Sequence, residues 1–206
     1  MITVWGRSTS QNVQKVMWCC SELGLEAKRI DWGGPYAGND DPEYRKMNPH
    51  GRVPTVKDGN AIIWESNTIL RYLCATRQGD TLYPRDPYER SKVERWMDWQ
   101  LAGLNPPMVT LLIGYYRTEP AQRSPEALER AAKQSVELWT IVNDWLRSQM
   151  YLSGPAFTLA DIVIGILVHR WYSYPITRPD LKDLKAWYER LATRPGFLRY
   201  VAGPVS

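Results

Sequence analysis

Two stretches of this sequence carry groups whose types and spacing suit the capture of one peptide-like ligand. Trp64-Glu65-Ser66 closes a short apolar run and opens a helical pattern, Asn67 to about Thr76, with Ser66 as its expected N-cap. A helix start leaves its first N–H groups unpaired and its dipole end positive, so a carboxylate is well placed there. The Glu65 side chain beside it can hold an ammonium group. An ammonium and a carboxylate on one carbon describe an amino-acid terminus. Arg52-Val53-Pro54-Thr55-Val56 supplies the second stretch, a loop entering a β-branched strand whose first residue is a proline that breaks no ladder bond. With a cis Val53–Pro54 bond, the turn is expected to leave the N–H and C=O of Val53 facing outward, where another peptide pairs as a strand does.

The elements that must position these groups read as an α/β arrangement. A strand, Ile2 to Trp5, precedes a helix from about Asn12 to Leu23 and a strand from about Ala27 to Trp32. A Gly/Asn/Asp-rich loop follows, then a hairpin turning at Lys57-Asp58-Gly59-Asn60 into Ala61–Trp64. The β-α-β then β-β-α order resembles the thioredoxin fold. A thioredoxin carries Cys-x-x-Cys where helix one begins; here Ser8-Thr9-Ser10-Gln11-Asn12 stands there, which argues against dithiol exchange. Arg77 to Pro87 turns to Gly, Asp and Pro, as an inter-domain linker does.

Beyond that linker the strand patterns stop. Tyr88 to about Tyr116 is helical in pattern, with a kink or break required at Pro106-Pro107. Ser124-Pro125 starts a helix running to about Gln149, and Thr158-Leu159-Ala160-Asp161 is a capping-box-like start for an almost wholly apolar helix, Ile162 to about His169. Leu181 to Thr193 is a last helix, closed by Arg194-Pro195-Gly196. The reading is therefore a thioredoxin-like α/β domain at 1–78, a linker at 79–87 and an all-helical bundle domain at 88–206.

Composition narrows the function classes. The 206 residues are 44% hydrophobic and 12% aromatic, enough for packed cores. No run approaches the ~18 apolar residues of a membrane span and the first residues lack a signal-peptide pattern, so a cytoplasmic protein without membrane partners is expected. Cys19, Cys20 and Cys74 lie in apolar helical patterns and read as buried thiols, neither a disulfide framework nor a metal set. The net charge of +4 carries no dense Lys/Arg cluster, which excludes a nucleic-acid footprint and favours small anions slightly.

The run from Asn48-Pro49-His50-Gly51-Arg52-Val53-Pro54 through Trp64-Glu65-Ser66 to Tyr72-Leu73 resembles the glutathione-binding half of the cytosolic glutathione S-transferases. Gly154-Pro155-Ala156-Phe157-Thr158-Leu159-Ala160-Asp161 resembles that family's cap and staple, a folding element, so the likeness covers nearly the whole chain. It implies glutathione as cosubstrate, with Val53 pairing with its cysteinyl backbone and Glu65 and Ser66 holding its γ-glutamyl end. For the glycyl carboxylate, a group needing a cation or an amide, Arg52 beside Val53 is the first candidate, with Arg7, Asn39 and His50 as alternatives. A free thiol is mostly protonated at neutral pH, so the thiolate needs a donor or positive potential. Ser8, Thr9 and Ser10 are placed by position to give it.

Ser10-Gln11-Asn12-Val13-Gln14-Lys15-Val16 is similar to the theta-class pattern, which passes the role to Ser10; Asn12 stands where many members have Pro, and its amide is a second candidate donor. The electrophile is expected between the domains, against an apolar wall that includes Met108, Leu112, Tyr115 and Trp171. The resemblance also implies a homodimer. The activity expected is conjugation of the glutathione thiolate to small hydrophobic electrophiles; the alternatives are a non-catalytic glutathione- or ligand-binding protein and a transferase-like adaptor.

Overall fold

Alternation in Ile2–Trp5 sets the first sheet: Ile2 and Val4 are buried while Thr3 and Trp5 are half-buried, the period of two that a one-sided strand requires. This strand, β1, pairs in parallel with β2 (Ala27–Ile30) and antiparallel with β3 (Thr55–Asp58), which pairs antiparallel with β4 (Ala61–Trp64). The order across the sheet is β2-β1-β3-β4. The β3–β4 hairpin turns on Gly59, whose φ of 59° suits a residue without a Cβ. A computed structural model describes residues 1–205 of the chain.

Two helices of this first unit pack on each other, α1 (Gln11–Glu22) and α3 (Ser66–Thr76). Val16, Trp18, Cys19, Ile69, Leu70, Leu73 and Cys74 are buried along them. All three cysteines are buried free thiols. Burial pushes the Cys20 thiol up to about 12, and a hydrogen bond with Cys74, ahead of burial, raises Cys19 well above its ordinary value. The Gly/Asn/Asp-rich segment, read from sequence as a loop, contains a short helix, α2 (Pro42–Met47). Asp41 caps it by accepting from the Glu43 and Tyr44 N–H groups, with Pro42 at the first helical position.

The second unit, Pro84–Arg194, is all helical: α4 (Pro87–Trp99), α5 (Asn105–Tyr116), α6 (Pro125–Leu146), α7 (Leu159–Ser173) and α8 (Lys182–Ala192). α7 is its core element, packing on α4, α5 and α8, with nearly every residue from Leu159 to Trp171 buried. The irregularity expected at Pro106-Pro107 lies just before it, as a π-helical turn at Gln100–Leu104. Neither proline has an N–H for the carbonyls a turn earlier, and widening that turn absorbs the missing donors while both prolines sit in the first turn of α5.

Two boundaries differ from the sequence reading. Residues 79–83 belong to the first unit, where Leu82 and Tyr83 are buried, so the expected linker contributes to that core. The Arg194-Pro195-Gly196 stop is followed by another helix, α9 (Pro195–Tyr200), and Pro195–Gly203 also belong to the first unit. α9 packs on α1: the Trp18 and Phe197 rings meet edge to face at 5.2 Å, and a Cβ at Gly196 would lie 2.5 Å from Trp18 Cδ1. Among the described residues no helix is long and apolar enough to cross a membrane.

Candidate functional site

The start of α1 has the shape of a capped helix without its cap. Ser10 occupies the N-cap position in an extended conformation, and its backbone is held by Ser10 N–H to Arg7 C=O at 3.2 Å and Gln14 N–H to Ser10 C=O at 2.9 Å. Its hydroxyl bonds none of the helix N–H groups and has no partner among the described residues, although Ser10 is only 7% exposed. The Asn12 amide, at the second helical position, is likewise unpartnered. No acidic side chain occupies the first turn, so the positive end of the helix is uncompensated. Hydroxyl and amide donors with unspent capacity at such an end suit an anion.

The start of α3 repeats this. Ser66 is not the N-cap, as sequence had it, but the first helical residue. Glu65 takes the cap position with φ 68° and ψ 114°, a left-handed conformation uncommon for a residue with a side chain. That turn swings the chain from β4 into α3 one residue early and makes the Ser66 N–H one of the unpaired first donors. The Ser66 hydroxyl has no partner among the described residues, Ser66 is 4% exposed, and the first turn holds no acid. The exposed Glu65 carboxylate approaches His50 Nδ1 at 3.9 Å.

Between these ends runs the loop before β3. The Val53–Pro54 bond is cis, the condition on which the reading of Val53 turned, and Val53 lies ahead of the β3 ladder, its backbone N–H and C=O without a backbone partner among the described residues. Glycines set its surroundings. A Cβ at Gly6 (φ 152°) would stand 3.2 Å from Val53 Cβ and 2.3 Å from Val13 Cγ2, and one at Gly33 (φ 73°) 3.2 Å from Val53 Cγ1 and 2.9 Å from Asn39 Oδ1. Both backbones therefore approach Val53 closely, and the contacts to Val13 and Asn39 leave no room for a side chain at either glycine. Among the described residues Asn39 Oδ1 is buried without a partner and the exposed Arg52 guanidinium joins no ion pair, while Arg7 lies beside Gly34.

A buried network fixes the same loop. Tyr44 Oη and Asn48 Nδ2 both donate to Arg52 C=O at 2.8 Å, Asn48 Nδ2 also donates to Thr55 Oγ1 at 3.0 Å, and Thr55 Oγ1 donates to Tyr44 Oη at 2.8 Å. Burial raises the Tyr44 hydroxyl above its ordinary value and keeps it a donor, against the pull of Thr55 and Asn48. Sequence reasoning assigned no role to Tyr44, Asn48 or Thr55; Asn48 was visible only as part of a motif.

The residues expected to face an electrophile lie in the helical unit. Met108 and Trp171 are each 1% exposed and Leu112 is buried as well; Tyr174 Oη donates to Met108 C=O at 3.0 Å. Tyr115 alone of the four keeps its ring partly open, with the Arg123 guanidinium 5.9 Å from the ring centroid. His169 meets Tyr188 Oη through Nδ1 at 3.0 Å.

The model for the glutathione S-transferase N-terminal domain matches residues 1–75, and the model for the C-terminal domain of that family matches residues 104–195. Over the full length of both chains, the protein is 34% identical to glutathione S-transferase GstB of Escherichia coli. The chain belongs to the glutathione S-transferase family. This transferase superimposes with a TM-score of 0.96, at 42% identity over 100% of this chain and 99% of the other, on the theta class glutathione S-transferase of Xanthomonas axonopodis pv. citri with glutathione bound. A more distant relative, 27% identical over 85% of this chain and 82% of its own, is the disulfide-bond oxidoreductase YfcG of Escherichia coli. The family's cosubstrate is glutathione, and this is a transferase by descent and by fold.

Proposed function

We propose that the transferase binds glutathione along the first unit and joins its sulfur to small hydrophobic electrophiles. Support comes chiefly from one observation: the hydroxyls of Ser10 and Ser66 stand unspent at two positive helix ends, with the unpaired backbone of Val53 between them in sequence. In this reading Ser66 and the first N–H groups of α3 receive the γ-glutamyl carboxylate, Glu65 receives its ammonium group, and Val53 pairs with the cysteinyl backbone. Arg52 is the first choice for the glycyl carboxylate, with Asn39 as an amide donor nearby.

The Ser10 hydroxyl, or the Asn12 amide, donates to the sulfur and so favours the thiolate, whose proton passes to solvent. The thiolate lone pair forms the C–S bond while the leaving group departs with the bonding electrons; in addition to a double bond, the carbanion takes a proton from water. Tyr115 offers the open face for the electrophile, backed by Met108, Leu112 and Trp171. The same reading pairs two copies of the chain, supported by Ile62 and Trp64 exposed on β4, and keeps the protein in the cytoplasm.

A second reading follows from the oxidoreductase relative: the bound thiolate attacks a disulfide sulfur in place of carbon, forming a mixed disulfide while the S–S bond breaks and the other sulfur leaves as a thiolate. Calorimetric titration of glutathione tests both at once, with saturable one-to-one binding expected and absence of binding at millimolar ligand overturning them. Turnover of an aryl halide against turnover of a small disulfide then separates them.

A further inference from the structure

Among the described residues, Lys15 is the one charged side chain of the first unit that is fully buried, at 0% exposed. It stands in α1 five residues after Ser10, and its Nζ donates to Asn67 Oδ1, 3.3 Å away in the first turn of α3 and adjacent to Ser66. The bond joins the two helices whose N-termini are uncapped. Withdrawing an amine from water is costly unless it is partnered, so an apolar residue here would serve packing better. Asn67 gives the lysine a purpose. An Asn in the first turn of a helix is prone to bend its side-chain oxygen onto nearby backbone N–H groups, capping the helix from within. An oxygen held by Lys15 is not available for that.

We infer that Lys15 is a positioning residue for the ligand's γ-glutamyl carboxylate: by holding Asn67 Oδ1 it keeps that oxygen off the N–H groups at the start of α3, where the carboxylate binds. The inference rests on the glutathione-binding reading above. It predicts an unusual pattern in calorimetric glutathione titrations. Lys15→Met releases the Asn67 oxygen to compete and lowers affinity about tenfold. Asn67→Ala, which removes the competitor, stays within about threefold of the parent, and the double variant Lys15→Met/Asn67→Ala recovers to that level. A lysine needed only for packing would leave the double variant as weak as Lys15→Met or weaker, and that result overturns the inference, as does an unchanged affinity in Lys15→Met. If Lys15→Met does not fold, Lys15→Leu, which also lacks a donor, takes its place under the same criteria. Failure of the parent protein to bind glutathione strikes instead at the underlying reading.

Discussion

The N-termini of α1 and α7 use the same kinds of residue to opposite ends. At α7 every polar group is spent: Asp161 is 0% exposed and accepts from the Thr158 N–H at 2.9 Å, the Leu152 N–H at 3.0 Å and Trp187 Nε1 at 2.9 Å. At α1 the Ser10 hydroxyl is unspent and the first turn has no acid. The rest of the molecule divides the same way. α2, α4 and α6 are capped by Asp41, Asp86 and Ser124 and carry Glu43, Glu89 and Glu126 in their first turns. The start of α8 is capped from outside by Asn143 Oδ1, which accepts from Asp183 and Leu184. α3 stands with α1. A Ser, Thr or Asp at a helix start is therefore not diagnostic by itself; whether its acceptor capacity is already consumed separates a folding device from a place where a ligand's charge can sit.

The comparison breaks most directly at Asp161. Asp161→Asn keeps the shape but turns an amide donor toward two of the four donors, the Thr158 hydroxyl being the fourth, and unfolding by urea should show a loss of about 3–5 kcal/mol. Glutathione affinity per folded chain should not move; if it fell while stability held, the division into closed and open helix starts would be wrong. The pH dependence sharpens this. Burial raises the Asp161 carboxyl from 3.8 to about 6, against the bonds from Leu152, Thr158 and Trp187 that pull it down. The folded state then holds this proton more tightly than the unfolded state, so the group's contribution is full below about pH 4 and declines as pH rises to about 6. The stability difference between parent and Asp161→Asn should shrink by about 3 kcal/mol between those limits and stay flat above them.

How much of this was legible in sequence follows from what kind of signal each element leaves. The strand pattern, the β3–β4 hairpin and the Thr158–Asp161 box are local, and short-range periodicity and capping chemistry expose them. α2 was missed although Asp41-Pro42 is a good helix start, because six residues in a Gly-rich segment give no periodicity to count. α9 was missed because Pro195-Gly196 reads as a stop, whereas burial of Phe197 against Trp18 is a long-range contact that no local rule contains. Ser66 was misplaced by one position because the left-handed Glu65 conformation is set by the chain's path and not by its residue type. Lys15 carried no signal at all, since a lysine in a helical pattern is normally assigned to the solvent face.

At the open end of α3, Ser66→Ala removes a hydroxyl that caps nothing. The expected cost falls on binding, about 2 kcal/mol or thirtyfold in the calorimetric dissociation constant, with the unfolding midpoint nearly unchanged. A comparable loss of stability with intact binding would place Ser66 among the closed starts. Ser10→Ala and Asn12→Ala ask the same of α1. Whichever group donates to sulfur, its loss should raise the apparent pKa of the bound thiol by about one unit, read from thiolate absorbance against pH, while glutathione affinity below that pKa holds. An unchanged thiol pKa in both variants would remove α1 from the site.

The smallest expected effect is the control that gives the others meaning. Ser124 caps α6 through a bond from the Ala127 N–H to its Oγ at 3.3 Å, a long bond on an exposed helix end. Ser124→Ala should therefore lower stability by only about 1 kcal/mol and leave both glutathione affinity and thiol pKa where they were. Set beside Ser10→Ala, it is the same substitution at the same helical position, with one hydroxyl spent on the helix and one not. If the two variants lost equal stability, Ser10 would be capping α1 in solution, and its hydroxyl would be committed to the helix before any ligand arrived.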